Sequence, residues 1–542
     1  MSHKAYEDTG IPGTCAGVRA RPIIAVDPGA AGGIAWVTSK AVLRRNLTAE
    51  DTVRELARMN VPVSQSEVRE LVARFAVSLG IAHAEAAPRL RAHLGRAGGY
   101  VLHLDSTCQA SSAHLMTGVD ELSGFVLLNM MIPSESKADV GAFLRSVRER
   151  FGVPAAVSCD MSSGILGAVA ETFSAAVPVF ICHFHFLRDL GKDLLATPYA
   201  VVRDGVRRHG PKAELRRLQR ELRDALHLHR EELEAVVRAT ETENPSPSRA
   251  HLLPHDVLVG ALVTSLLDAE HQAGGYGFPF DRPHLTFFRH AVSTLKAACH
   301  LLASLRPTPE NRKLFMRLIA ALEPLCSDPE INRAAEELAI RATQFDRLRT
   351  ALRIAEPDAR QGLNDDGAEV PVNKLRDQVD TVCQAIRADS ALNHLEEFRS
   401  MLDQIDRHRD RLFADPILLQ TPDGPRTVQP QRTNNIMERF FRDLGRQVRK
   451  RTGQQPGEAY LNRLNPDSPL VANLDNPRYL DLLLDGAADL AERLARVDQD
   501  LVNSTLDKLR VPNSGVSRPL RIRLRRDEAP VRLALLFLRA VA

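Results

Sequence analysis

Between Tyr100 and Asp189 the apolar pattern alternates between strand and helix periods, and that alternation limits what the chain can fold into. "YVLHLDSTCQ" is a short apolar run ending in a carboxylate, Asp105. "HLMTGVDELSGFVLLNMMIP" reads as two strands around an Asp/Glu/Gly turn. A helix is expected over "ESKADVGAFLRSVRERFG", then a buried strand "AAVSCD" ending in Asp160. A helix "ILGAVAETFS" and a strand "VPVFICHFHF" follow. The order β-β-β-α-β-α-β describes an α/β unit with carboxylates at strand ends, where open α/β sheets place their sites.

The flanks read differently. From Asn46, "NLTAEDTVRELARMNVPVSQSEVRELVARFAVSLG" carries two capping-box starts, Thr48 with Asp51 and Ser64 with Glu67. Two short amphipathic helices with Arg54, Arg58, Arg69 and Arg74 outward suit a helix-turn-helix over 46–98, and equally a plain helical hairpin. From about Leu187 to Pro425 the pattern is nearly all helical, broken by "ETENPSPSRA" and by the Gly/aromatic loop "GGYGFPFDRPHLTFF". The expected division is an arm at 1–45, the two-helix module at 46–98 and a first α/β part at 99–195. A helical insertion at 196–425, a basic helix at 426–455 and a helical, basic region at 456–542 complete it.

At 542 residues the chain exceeds one folding unit. Its net charge of +3 means that any basic surface is local. Seven scattered cysteines without a C-x-x-C pair argue against a disulfide framework and a zinc ribbon. No apolar run reaches the ~20 residues of a membrane span, and "MSHKAYEDTG" has no signal-peptide core. The expectation is a reduced, cytoplasmic, multidomain protein.

Three acidic positions carry the candidate chemistry. Asp105 and Asp160 close strands, and Glu438 lies downstream in "QRTNNIMERFFRDLGRQVRKRTG". There Ile436, Phe440, Leu444 and Val448 form an i, i+4 stripe suited to packing on a sheet. Arg439, Arg442, Arg446, Arg449, Lys450 and Arg451 crowd the rest of that helix, and such guanidinium groups suit phosphate. Converging carboxylates can hold two hard divalent ions ~3.5–4 Å apart.

In this order the blocks resemble the DDE transposases with an RNase H-like core, in particular the Mutator-like and related bacterial insertion-sequence transposases. The resemblance spans roughly Asn46 to Gly453. "LHLDSTCQ" is similar to the first-Asp strand, and "AVSCDMSSGILGAVAETFSAAVPVFICHFHFLRDLGKDL" to the second-Asp block with its C-x-x-H element. "TNNIMERFFRDLGRQVRKRTG" resembles the block bearing the catalytic Glu. The gaps, 55 residues from 105 to 160 and 278 from 160 to 438, leave room for the all-helical insertion those enzymes carry.

The resemblance implies Asp105, Asp160 and Glu438 as catalytic metal ligands for two Mg²⁺ ions, with Mn²⁺ as substitute. It implies Cys182 and His185 as the C-x-x-H pair. The implied reaction is cleavage of double-stranded DNA at terminal inverted repeats and joining of the 3′-OH to target DNA, by a homodimer or higher oligomer. DNA contacts are expected from the basic helix, from Arg188 and Lys192, and from Arg69 and Arg74 of the two-helix module. Tyr276, Phe278 and Phe280 offer stacking faces or a packed loop.

Three rivals remain. "PIIAVDPGAAGGIAWV" places Asp27 after an apolar strand and resembles the first strand of RuvC-like resolvases. A transposase-derived DNA-binding regulator without catalysis is the non-enzymatic alternative, and a helical scaffold is the third. Within "VFICHFHFLRD", strand alternation puts Cys182 and Phe184 on one face and His183 and His185 on the other. That split disfavours tetrahedral zinc. The segment is read as a C-x-x-H marker or as a plain buried strand.

Overall fold

Seven-residue β-rich runs separated by turns produce the sheet. In the computed structural model, β1 (Val101–Thr107), β2 (His114–Asp120) and β3 (Val126–Ile132) form an antiparallel meander. Residues 42–43, 45–174, 176–240, 253–269, 274–355, 370–453, 457–510, 523 and 528–541 are described. Asp27 and most of the basic "RPLRIRLRR" segment lie outside the described residues.

β4 (Ala156–Cys159) pairs parallel to β1, and β5 (Val179–Ile181) parallel to β4, giving the order β3-β2-β1-β4-β5. Val101 to Leu104 are fully buried, as a central strand covered on both faces must be. Helix α3 (Lys137–Phe151) starts at Ser136, which accepts from Asp139 N, and ends at Gly152, φ 86°. Its Phe143 ring is fully buried against Gly118 of β2, where any side chain would crowd it. Helix α4 (Ser163–Phe173) is capped by Ser162.

These elements match the sequence expectation, but the next one does not. β5 stops at Ile181, and α5 begins at His183 and runs to His209 with Cys182 as its N-cap residue. Cys182, His183 and His185 thus sit on a helix start, and the face assignment drawn from strand alternation does not apply. The reason is the apolar run "FICHFHFL", which is buried in either conformation, so periodicity alone could not place the boundary.

The helical stretch follows as α6 (Lys212–Leu228), α7 (Arg230–Thr240), α8 (His255–Asp268), α9 (Pro283–Ser304) and α10 (Pro309–Cys326). It continues as α11 (Pro329–Leu352), α12 (Val372–Ala388), α13 (Ser390–Asn393) and α14 (Glu396–Leu412). Gly191 and Gly205 on α5 leave room for Phe345 and Ile331 of α11, since a Cβ at either position would collide with them. The stretch is not all helical. β6 (Ile417–Thr421) and β7 (Gly424–Val428) form a hairpin whose Ile417, Leu419 and Val428 pack with Val101, Ala156 and Phe180 of the sheet.

The chain divides into two compact units, residues 91–108 with 113–442, and residues 1–90 with 109–112 and 443–542. In the second, α1 (Ala49–Arg58) precedes α2 (Gln65–Arg96), which is 32 residues long and crosses the division. The expected second helix was short, but the helix runs on through Gly80 and also absorbs Pro88. The C-terminal region joins this unit: His83 Nδ1 lies 2.7 Å from Tyr479 Oη, and buried Arg493 pairs with Glu85 at 2.6 Å. No described helix is long and apolar enough to cross a membrane.

Phe143→Ala is expected to lower stability by about 3–5 kcal/mol through the cavity left on the sheet, measured by urea denaturation.

Candidate catalytic carboxylate site

Register brings the first two acids together. His103 of β1 pairs with Ser158 of β4, so extending both parallel strands by two residues sets Asp105 and Asp160 level on neighbouring strands. Asp160 Oδ1 accepts from Ser162 N at 3.0 Å, and Asp105 Oδ1 from Ser106 N at 2.8 Å. The third acid arrives on α15 (Asn435–Thr452), with Glu438 in its first turn.

Asn434, immediately before α15, fixes that arrival. Its Nδ2 donates to Leu104 O at 3.0 Å, its Oδ1 lies 2.9 Å from His103 Nδ1, and its backbone N donates to Cys182 Sγ at 3.2 Å. His103 Nε2 in turn lies 2.8 Å from Glu121, which also accepts from Gln431 N at 3.1 Å. One buried residue therefore joins the first-Asp strand, the C-x-x-H element and the Glu-bearing helix. The expected Ile436-based stripe is shifted, since Met437 is the fully buried residue of the first turn, while Val448 is buried as expected.

The electrostatics record the convergence. Burial pushes Asp105 up to about 8, and the neighbouring charges of Asp160, Glu135 and Glu438 add to the rise. Burial also raises Asp160, with Glu135 and Asp189 adding and Arg188 opposing. Glu438 is raised by burial and lowered by Arg188 and Arg442. Glu135, in the turn after β3, was not singled out by sequence. It accepts from Ser106 Oγ at 2.5 Å, and its backbone is packed on α4 where Gly164 has no side chain.

The C-x-x-H pair is structural in its contacts. Burial drives the Cys182 thiol up to about 12 and its sulfur accepts from Asn434. Burial lowers His185 to about 4, and its buried Nδ1 has no hydrogen-bond partner. His183, held neutral near about 3 chiefly by burial, donates from Nε2 to Leu412 O at 2.7 Å, leaving Nδ1 to face Arg432 at 3.3 Å.

Of the expected DNA contacts, Arg439, Arg442, Arg449 and Lys450 are exposed, and none has an ion-pair partner among the described residues. Arg446 meets Asp443 at 3.6 Å, and Arg451 donates to Gln447 O. Arg188 acts on Asp160 and Glu438, whereas Lys192 is paired with Asp189 at 3.0 Å. Arg69 is exposed and donates to Gln65, and Arg74 is half-buried. Phe278 stacks on Tyr199 with centroids 4.6 Å apart, Phe280 is buried against Phe184, and Tyr276 packs edge-on to Phe280. The aromatic loop is thus packed.

The donor set suits a hard cation: carboxylate oxygens gathered where their mutual repulsion favours a positive partner. No three His, Cys, Asp or Glu side chains among the described residues already form a metal-holding group. Mg²⁺ is commonly bound by one or two carboxylates plus substrate phosphate oxygens rather than by an all-protein cage. The chain matches no protein-family profile, and no curated protein matches it.

The Asp105 shift has a testable sign. The folded chain holds this proton more tightly than the unfolded chain, so stability present below about pH 4 is lost as pH rises toward about 8. In metal-free buffer, Asp105→Asn is expected to flatten this decline in thermal denaturation between about pH 5 and about pH 9. A wild-type midpoint as flat as the variant's contradicts the assignment.

Proposed function

We propose that the chain is a DNA transposase with an RNase H-like core, cleaving transposon ends and joining the 3′-OH to target DNA. The observation that carries the reading is geometric: β1 and β4 pair so that Asp105 and Asp160 end neighbouring strands, and Asn434 ties the start of the helix bearing Glu438 to the same β1, across 55 and 278 residues of chain. The meander, helix, strand-Asp, helix, strand order and the long helical insertion support it. A cytoplasmic setting and assembly as a homo-oligomer on DNA belong to the same reading.

In this reading Asp105, Asp160 and Glu438 would hold two divalent ions, Mg²⁺ or Mn²⁺. Bound there, the ions supply Lewis acidity at the scissile phosphate and a lowered pKa for water or a 3′-hydroxyl. Asp105 would have to pass its proton to solvent before it could serve as a ligand. Glu135 adds a fourth carboxylate beside Asp105 and Asp160, orienting water through its link to Ser106. Arg188 and Arg442 offset the acid charge near Glu438 and face incoming phosphate. The exposed cations of α15 hold the DNA backbone, a salt-dependent contribution.

The absence of a preformed three-ligand group among the described residues favours one second reading, a transposase-derived regulator that binds DNA without cutting it. A plasmid carrying the DNA that flanks the gene separates the two. The wild type is expected to nick at the element ends with Mg²⁺ or Mn²⁺. Asp160→Asn is expected to bind but cut at least ~10³-fold more slowly, about 4 kcal/mol of barrier. Wild-type binding without nicking in either metal establishes the regulator. Glu135→Gln is expected to weaken Mn²⁺ binding by ~10-fold or more in calorimetry while leaving DNA affinity unchanged.

A further inference from the structure

Helix α6 carries a stripe of cations that its own acids do not answer. Arg216, Arg220, Arg223 and His227 are all exposed and recur at i, i+4, i+7 and i+11. At 3.6 residues per turn they fall within about 60° of arc and extend over ~16 Å of helix. Leu215, Leu218 and Leu222 are buried on another face, which anchors α6 in the helical stretch and turns the stripe outward.

The acids of α6 face elsewhere. Glu214 and Glu221 both meet Arg317 of α10, at 2.7 Å and 2.6 Å. Arg217, on that same side, meets Glu214 at 3.9 Å. Asp224 reaches Arg223 only at 4.0 Å, and the two side chains are 99% and 81% exposed, a pairing that contributes little. Arg216 and Arg220 have no ion-pair partner among the described residues, and Arg220 Nε donates to Arg216 O at 3.2 Å. Lys212, one turn before Arg216, lies over the Phe287 ring, 4.9 Å from its centroid.

Other exposed helices of the chain are built differently. Arg54 pairs with Glu50, Arg230 with Glu234 and Arg496 with Glu492, each four residues apart on one helix. A helix face that meets only solvent carries such alternating pairs. On α6, like charges stand at i, i+3 and i, i+4 instead, and they repel until an anion lies along them. The matching anion is extended, because the cations form a line. Duplex DNA presents one phosphate per ~3.4 Å of axis along each strand, so ~16 Å of stripe runs beside about five phosphates of one strand. The guanidinium fork suits phosphate oxygens.

We propose that the outer face of α6 is a second surface for the backbone of duplex DNA, held through Arg216, Arg220 and Arg223. This rests on the transposase reading and deepens it. The contact lies within the helical insertion, on a helix that carries none of the carboxylates, and contacts to phosphate read no sequence.

Fluorescence anisotropy of the full chain with a duplex oligonucleotide of arbitrary sequence, over a salt series, tests the proposal. The triple variant Arg216→Gln, Arg220→Gln, Arg223→Gln is expected to bind at least ~10-fold more weakly at low salt. Its slope of log affinity against log salt is expected to fall by about 2.7, three phosphate contacts' worth. All three residues are exposed and Gln is a good helix former, so the fold survives the change. A control variant, Arg230→Gln with Arg238→Gln, removes two neighbouring cations that Glu234 already holds, and is expected to keep the wild-type slope. Wild-type affinity and slope in the triple variant overturn the proposal and make α6 a solvated face. So does an equal loss in the control, which makes the effect one of net charge. A wild type that binds no duplex sinks the transposase reading itself, and the stripe's role with it.

Discussion

The hydrogen bonds of Asn434 hold the two distant ends of the α/β unit together. They bind the start of α15 to β1 through Leu104 and His103, and to the start of α5 through Cys182. Two hundred and fifty-one residues lie between Cys182 and Asn434 in the chain, so their return is a large loop closure. Closure entropy grows only slowly with loop length, so a few well-buried contacts can hold such an insertion. His183 reinforces the same seam through Arg432 and Leu412.

That seam makes the carboxylates costly. Asp105 is raised by burial and by three acidic neighbours, a destabilising arrangement in the absence of a cation. Perturbed carboxyls of this kind occur at functional sites and in structural networks alike. Arg188 relieves the cost only in part, because it acts on Asp160 and Glu438 and not on the Asp105 rise itself.

Most of the sheet was legible because its strands are short apolar runs bounded by turn residues, and the Asp105 and Asp160 positions came with them. The end of β5 was not, because an apolar run buried in either state has no periodic signature. The β6–β7 hairpin was missed for a different reason. Its strands are five residues each, with Leu418 and Arg426 exposed, and they sit against a long helical background. Asn434 lay within a quoted motif, yet its hydrogen bonds reach residues 330 and 252 positions away, which spacing does not reveal. Glu135 sits in a turn after β3, where an acid reads as a helix-start residue until the fold brings it to Ser106.

The most direct test of the carboxylate site replaces Mg²⁺ with Fe²⁺ and generates hydroxyl radicals with ascorbate and peroxide. Radicals formed at a bound iron cut the nearest backbone. The account predicts cuts clustered at the segments of Asp105, Asp160 and Glu438, lost in Asp160→Asn and suppressed by excess Mg²⁺. Cutting at other segments, or none above the Asp160→Asn background, contradicts it.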